Sequence, residues 1–306
     1  MKKLPSADVF EEIAIELGVD PSFVEKDWFA VELLTTISSI ETPEIIFTGG
    51  TSLSKAYGLI QRFSEDLDFR IYTKLHTCTR GERKSFREDI LDILRKMDGL
   101  TVIEHSIEKG NESRFFSLNI EYPQINQPTQ SLRPHLKLEF SFEDTLLNPE
   151  VREIRSFVTQ FTGAEYDCRI KTISPIETAA DKFSALLWRV NVKDRSAPQG
   201  SPRNDPTIIR HLHDLAALSS ILNDDSGFKD IIKASFDRDL GRGGSDREKK
   251  LEELAKDTVE KLKSDPQYKH EYEQFVDAMS YAEELKRINF KDAILIFSEM
   301  IHFVTS

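Results

Sequence analysis

Apolar positions recur with helical spacing at the start of the chain, switch to strand spacing in its middle, and return to helical spacing for the last third. Asp8 and Glu11 read as a capping box opening a first helix that Gly18 ends. Asp20-Pro21 starts a second helix carrying Val24, Trp28 and Val31. Ile45-Ile46-Phe47 then predicts a short strand that stops at Gly49-Gly50, with a helix from Ser52 to Ile60 and a strand from Leu67 to Ile71. A charged helix follows from Arg80 to Met97. Strands are expected over Thr101–Ile107, Arg114–Tyr122 and His135–Phe142. The last alternates cleanly, with Leu136, Leu138, Phe140 and Phe142 on one face and Lys137, Glu139 and Ser141 on the other. Ser156–Phe161 and Cys168–Ile173 are expected to complete the β-rich part.

Beyond Ser174 the pattern is helical. Ser174-Pro175-Ile176-Glu177 is a capping box with proline in the first turn, followed by the stripe Ile176, Ala180, Phe183, Leu187. A Pro/Gly/Ser-containing loop spans Arg195 to Pro206, and Asp205-Pro206 starts a helix through Ile208, Leu212 and Leu215. Gly241 to Gly244 reads as a break before a charged helix carrying Leu251, Leu254 and Leu262, and two last helices start near Tyr268 and Asp292. The expected organisation is α+β: a mixed sheet with flanking helices over residues 1–173, then a helical domain over 174–306. No internal repeat is visible.

Composition narrows the classes without choosing one. The 306 residues are 39% hydrophobic and 31% charged, ordinary for a globular protein able to bury a core. No apolar run has the length of a membrane span, no signal-peptide pattern follows Met1-Lys2-Lys3, and Cys78 and Cys168 form no CxxC pair. A reduced cytoplasmic protein is expected. A formal net charge of −12 excludes broad, sequence-independent gripping of nucleic acid, although a local basic site remains open.

The chemistry concentrates between Phe47 and Ile71. On a strand, Asp66 and Asp68 share a face while Leu67, Phe69 and Ile71 pack on the other. Two carboxylates so close repel each other, so they are solvated, paired with a cation such as Arg62 or Arg70, or hold a metal. Just upstream stands strand–Gly49-Gly50-Thr51-Ser52–helix, a turn whose glycines let the backbone approach a phosphate, with Thr51 and Ser52 as hydroxyl donors. Glu139, on the polar face of its strand, is either an exposed residue paired with Lys137 or a third metal carboxylate; three carboxylates on neighbouring strands suit a two-magnesium site. Lys182 shares a face with Thr178, Ala185 and Arg189, which is a solvated basic face or one that reaches a triphosphate. Asp214 either pairs with Arg210 four residues earlier or orients a functional group. Arg189, Lys193, Arg195, Arg203 and Arg210, against Asp194 and Asp205, make this stretch locally basic, a mobile solvated loop or a docking place for a phosphate-rich substrate.

Gly49-Gly50-Thr51-Ser52-Leu53, Arg62-Phe63-Ser64-Glu65-Asp66-Leu67-Asp68, Val24-Glu25-Lys26-Asp27-Trp28, the helix Ala180 to Leu186 and the run Tyr268 to Tyr281 together resemble the AbiEii/AbiGii toxin family, which includes the MenT toxins, within the DNA-polymerase-β-like nucleotidyltransferases. The resemblance spans nearly the whole chain. It implies a Mg²⁺-dependent enzyme with a two-metal site at Asp66, Asp68 and Glu139, which takes a nucleoside triphosphate and transfers a nucleotidyl group. Gly49, Gly50, Thr51, Ser52, Ser64, Lys182 and Arg189 are implied as nucleotide-binding, with Lys182 and Asp214 joining the carboxylates as catalytic residues. It also implies a toxin of a toxin–antitoxin or abortive-infection system active in phage defence, an RNA acceptor such as a tRNA acceptor end, and a cognate antitoxin. Transfer to a small molecule or a protein, or a non-catalytic nucleotide- or partner-binding module, are the alternatives.

Overall fold

The structure, a computed structural model, describes residues 2–72, 78–129, 132–223, 227–241 and 250–305. The chain divides into two compact units: residues 1–58 with 63–174, and residues 59–62 with 175–306.

In chain order the first unit contains α1 (Ala7–Leu17), α2 (Pro21–Ser38), β1 (Glu44–Thr48), α3 (Gly49–Lys55), β2 (Asp66–Tyr72), α4 (Arg80–Arg95), β3 (Thr101–Val102), β4 (Glu108–Gly110), β5 (Phe115–Glu121), β6 (Leu136–Phe142), β7 (Glu150–Ile154), α5 (Phe157–Thr162) and β8 (Cys168–Thr172). The strands form one mixed sheet in the order β3-β5-β6-β2-β1-β8-β7, with β4 added on β5. β2 runs antiparallel to β1 and parallel to β6.

A row of rings fixes the register of the central strands. Phe47 pairs with Phe69 across β1–β2, Phe69 with Phe140 across β2–β6, and Phe140 with Phe116 across β6–β5. Their centroids are 5.8, 4.9 and 4.6 Å apart, and all four side chains are buried. Because strand side chains alternate, a slip of one residue would turn this row to the opposite face. The row therefore also fixes which polar residues align on that face: Thr48 opposite Asp68, and Asp68 opposite Glu139.

Helix α2 carries charge in its buried side. Glu25, Lys26, Asp27 and Glu32 are all buried between Phe23, Val24, Trp28 and Phe29. Each charge in the Glu25-Lys26-Asp27 run has partners. Glu25 accepts from the Ile125 and Asn126 amides at 2.6 and 2.8 Å, Asp27 accepts from the Phe157 amide at 2.8 Å and pairs with Lys55, and Lys26 reaches Glu65 at 2.6 Å. Buried charges persist when paired in this way.

Several local expectations are corrected. The first helix is capped at Ser6 rather than by an Asp8–Glu11 box, and no side-chain cap bond forms there. The helix after the glycine turn ends at Lys55, because Gly58 takes a left-handed φ of +64° and turns the chain. The expected strand Thr101–Ile107 pairs only over Thr101–Val102 before a 3-10 turn at Glu104–Ser106. Ser156–Phe161, read as a strand, is helix α5: the Ser156 hydroxyl caps the Thr159 amide at 3.0 Å, and Gly163 closes the helix in a left-handed conformation. β7 was missed because Glu150-Val151-Arg152-Glu153-Ile154 lies at a sheet edge and alternates little, with Val151 60% exposed.

The second unit is helical: α6 (Pro175–Asn191), α7 (Arg210–Asn223), α8 (Phe228–Gly241), α9 (Leu251–Ser264), α10 (Gln267–Phe275) and α11 (Phe290–Thr305). α6 is its hub, packed on α7, α8 and α9. Phe183 meets Phe297 of α11, and Asp181 binds Ser235 at 2.7 Å and Arg238 on α8. The expected break from Gly241 to Gly244 lies outside the described residues from position 242 on. Among the described residues no helix is long and apolar enough to cross a membrane.

Candidate active site

Gly49 makes the turn between β1 and α3 with a φ of +78°, where only glycine is comfortable. A Cβ at this position would lie 1.9 Å from Oδ2 of Asp68. The backbone of the turn thus rests directly on one carboxylate of β2. Gly49→Ala is expected to displace the Asp68 carboxylate and slow any reaction carried by this face about 100-fold, since a shift of ~1 Å costs that much in an oriented site. Reaction kinetics alongside far-ultraviolet circular dichroism check this outcome; unchanged kinetics in a folded variant would show that the close approach is immaterial.

Asp66, Asp68 and Glu139 share the polar face of β2 and β6 and are all half-buried. Asp66 lies two residues from Asp68, and its Oδ1 accepts from Arg133 at 2.7 Å. Glu139 is paired with Lys137 two residues away on the same face. Of the two cations weighed as partners for the aspartates, Arg70 lies 3.7 Å from Glu143 and Arg62 pairs with Asp214.

Arg133 belongs to a relay that links Asp66 to α2. Its amide donates to Glu65 at 2.7 Å, and Glu65 takes Lys26 at 2.6 Å; Lys26 also donates to the Arg133 carbonyl at 2.7 Å. Burial lowers the Lys26 pKa, with Glu65 opposing. Burial also works against the charge on Arg133, but Asp66 and then Glu65 override it and raise its pKa. Lys26, Glu65 and Arg133 had no assigned role from the sequence. The readable signal was Glu25-Lys26-Asp27 set within an apolar helix.

Thr51 and Ser52 are buried, and their hydroxyls donate to main-chain carbonyls: Thr51 to Asp66, Ser52 to Gly49 at 2.8 Å. Thr51 thereby fastens the turn to β2 and Ser52 ties α3 back to its own first residue, where the sequence offered both hydroxyls as phosphate donors. Ser64 is half-buried, and among the described residues its hydroxyl has no partner.

In the helical unit, Asp214 is fully buried and holds two cations. Arg62 donates to it through Nε and a terminal nitrogen at 2.8 and 2.6 Å, and Lys182 lies 2.9 Å away. Burial alone would raise the Asp214 pKa, yet Arg62 and Lys182 hold it well below the usual carboxylate range. Lys182 is buried, not spread on a solvated face, and the partners of Asp214 arrive from distant segments, unlike the Arg210 pair considered from spacing. His211 lies close by with a buried Nδ1 that has no partner; burial, then Lys182, pushes its pKa well down. Arg189 sits 3.5 Å from Asp205.

The stretch expected to be locally basic is largely neutralised. Lys193 reaches Glu271 at 2.9 Å, and Arg195 pairs with both Asp265, at 2.7 Å, and Glu271 while stacking on Tyr268.

For a divalent cation, the donor chemistry of Asp66, Asp68 and Glu139 fits: all oxygen, all anionic, aligned on adjacent strands beside a turn with no room for a side chain. As the side chains lie, with Arg133 on Asp66 and Lys137 on Glu139, no three His, Cys, Asp or Glu among the described residues converge to hold an ion.

The mixed sheet that carries these aspartates has counterparts among proteins of known structure. The solved structure of MenT4, a nucleotidyltransferase toxin from Mycobacterium tuberculosis H37Rv, is similar over 99% of this chain and 90% of its own, with a TM-score of 0.63 and 16% sequence identity. Residues 32–294 match the family described as nucleotidyl transferase AbiEii toxin, type IV toxin–antitoxin system, and the chain belongs to that family. No protein of curated function matches it significantly in sequence.

Proposed function

We propose that this nucleotidyltransferase moves a nucleoside monophosphate from a nucleoside triphosphate to the end of an RNA, with Mg²⁺, as the toxin of its pair. The observation that carries the reading is the register of Asp68 against Glu139, with Asp66 two residues away and Gly49 packed on Asp68. Asp66, Asp68 and Glu139 would hold Mg²⁺, which supplies charge neutralisation at the triphosphate. The chain's own residues orient the reactants. The backbone at Gly49-Gly50 and the Ser64 hydroxyl take phosphate oxygens, while Thr51 keeps the turn on β2 and Ser52 braces the first turn of α3. Lys182, and less centrally Arg189, steady the triphosphate, with Asp214 aligning the Lys182 ammonium. Glu139 also accepts the proton of the attacking hydroxyl, once Lys137 yields it. The relay from Lys26 through Glu65 to Arg133 sets the position and charge of Asp66.

A toxin role in phage defence, an antitoxin that opposes it, and a cytoplasmic site of action complete the reading. Incubation of the protein with α-labelled nucleoside triphosphates and separate pools of tRNA, total protein and aminoglycosides tests the acceptor. Label should enter tRNA; label in protein or aminoglycoside alone would overturn the RNA reading.

A further inference from the structure

A groove of about 740 Å³ runs between α4 and the β4 hairpin in the first unit, apart from the carboxylate face. Arg80, Lys84 and Arg87 line it from α4, and Lys109 from β4. Helical spacing puts the first three on one side, about 6 and 4.5 Å apart along the axis. Arg80, Lys84 and Lys109 are exposed, and among the described residues none forms a close ion pair, Glu104 acting on Lys109 only at longer range; Arg87 holds Glu88 at 2.8 Å, and Glu112 is the one carboxylate among the described lining residues.

Elsewhere in the same unit many cations are matched at short range: Lys26 with Glu65, Lys55 with Asp27, Arg95 with Glu104, Lys137 with Glu139, Arg169 with Glu153, Lys171 with Glu44. Around this groove three exposed cations gather with no close ion pair among the described residues.

A further cation reinforces it. Arg83 is only 5% exposed and donates to the carbonyls of Cys78, at 2.6 Å, and Glu112, at 3.2 Å, while its Nε has no partner. Its charge is met by carbonyl dipoles and by no carboxylate among the described residues. It also anchors the hairpin tip, where Asn111, Glu112 and Ser113 take φ values of 49°, 52° and 66°. Such left-handed conformations are strained for residues with a side chain, so they stand only where the surroundings hold them. The wall carrying Lys109 is therefore built in place.

We propose that this groove binds the phosphate backbone of the acceptor RNA, an inference that rests on the RNA reading of the proposed function. Among the described residues the lining has no aromatic ring on which bases could stack, so contact is with phosphates and independent of sequence. The cations are spread along a helix rather than converging on one point, which suits a chain of phosphates better than one small anion. A local basic site on an acidic protein also limits RNA binding to a short stretch.

The test is fluorescence anisotropy with a labelled RNA hairpin bearing a single-stranded 3′ tail, read over a salt series. The triple variant Arg80→Glu/Lys84→Glu/Lys109→Glu is compared with wild type, with the charge-matched Lys256→Glu/Lys263→Glu/Lys269→Glu, and with Asp66→Ala/Asp68→Ala. All three substituted groove side chains are exposed, and thermal midpoints confirm folding. The groove variant should bind at least about 10-fold more weakly, with the slope of log affinity against log salt reduced by roughly 2. The control and the aspartate variant should bind like wild type. Equal affinity and slope for the groove variant, equal loss in the control, or wild-type binding to anionic lipid vesicles but not to RNA would overturn the proposal. A failure of label transfer to RNA with groove-dependent binding intact would strike the catalytic reading alone.

Discussion

Asp68→Asn is expected to reduce nucleotidyl transfer by about 10³-fold or more while leaving the folded protein within ~1 kcal/mol of wild type. The substitution keeps the shape of the side chain, so the fit against Gly49 and the ring row beneath β2 persist. What it removes is one negative charge at the position that must bind cationic neutralisation for a triphosphate. Charge stabilisation of that kind contributes several kcal/mol at the transition state, and ~4 kcal/mol corresponds to about 10³ in rate. Asp66→Asn should follow it with an added effect, because the amide also loses its ion pair with Arg133. Single-turnover transfer and denaturant midpoints measure the two halves of this expectation. A variant that loses stability in proportion to activity would mean that the aspartates are structural.

The second large effect concerns stability. Asp214→Ala removes the carboxylate shared by Arg62, 2% exposed, and Lys182, 7% exposed. Breaking a buried ion pair by removing one partner costs about 3–5 kcal/mol, whereas replacing the whole set by apolar side chains is often neutral. Urea denaturation should show that loss for Asp214→Ala and a smaller one for Arg62→Met/Lys182→Met/Asp214→Leu. A loss below ~1 kcal/mol for the single variant would contradict the buried-pair account. The pH dependence follows from the depressed pKa of Asp214. Its contribution is complete above the unfolded value of about 3.9 and disappears only as pH falls below that, through the folded value. Stability from this group is therefore constant across neutral and mildly acidic pH.

How much was legible depended on how local each determinant is. Alternation over Leu136 to Phe142 and Asp66 to Ile71 exposed the three carboxylates, because strand period is a property of neighbouring residues. The pairing of Asp68 with Glu139 is a parallel contact between segments 71 positions apart, which periodicity does not carry. The glycine turn was readable, yet the burial of the Thr51 and Ser52 hydroxyls depends on where β2 passes. Asp214 was singled out by its motif, but its partners were not: Arg62 lies 152 positions away. The basic stretch around Arg195 is largely neutralised for the same reason. Its neutralising acids, Asp265 and Glu271, lie 70 and 76 positions further on. Conversely, the groove at Arg80 and Lys84 hid within an ordinary charged helix until the β4 hairpin supplied Lys109. Ser156 and Gly163 did announce α5 locally, but the β-branched and aromatic residues between them favoured a strand reading.

The central claim is that the aspartates behind the Gly49 turn carry nucleotidyl transfer. Its most direct measurement is the amount of α-labelled nucleotide joined to tRNA in the presence of Mg²⁺ by wild type and by Asp66→Ala/Asp68→Ala, at equal folded concentration. Wild type should label the RNA and release one pyrophosphate per labelled end, and the variant should do neither. Equal labelling by the two proteins would contradict the account.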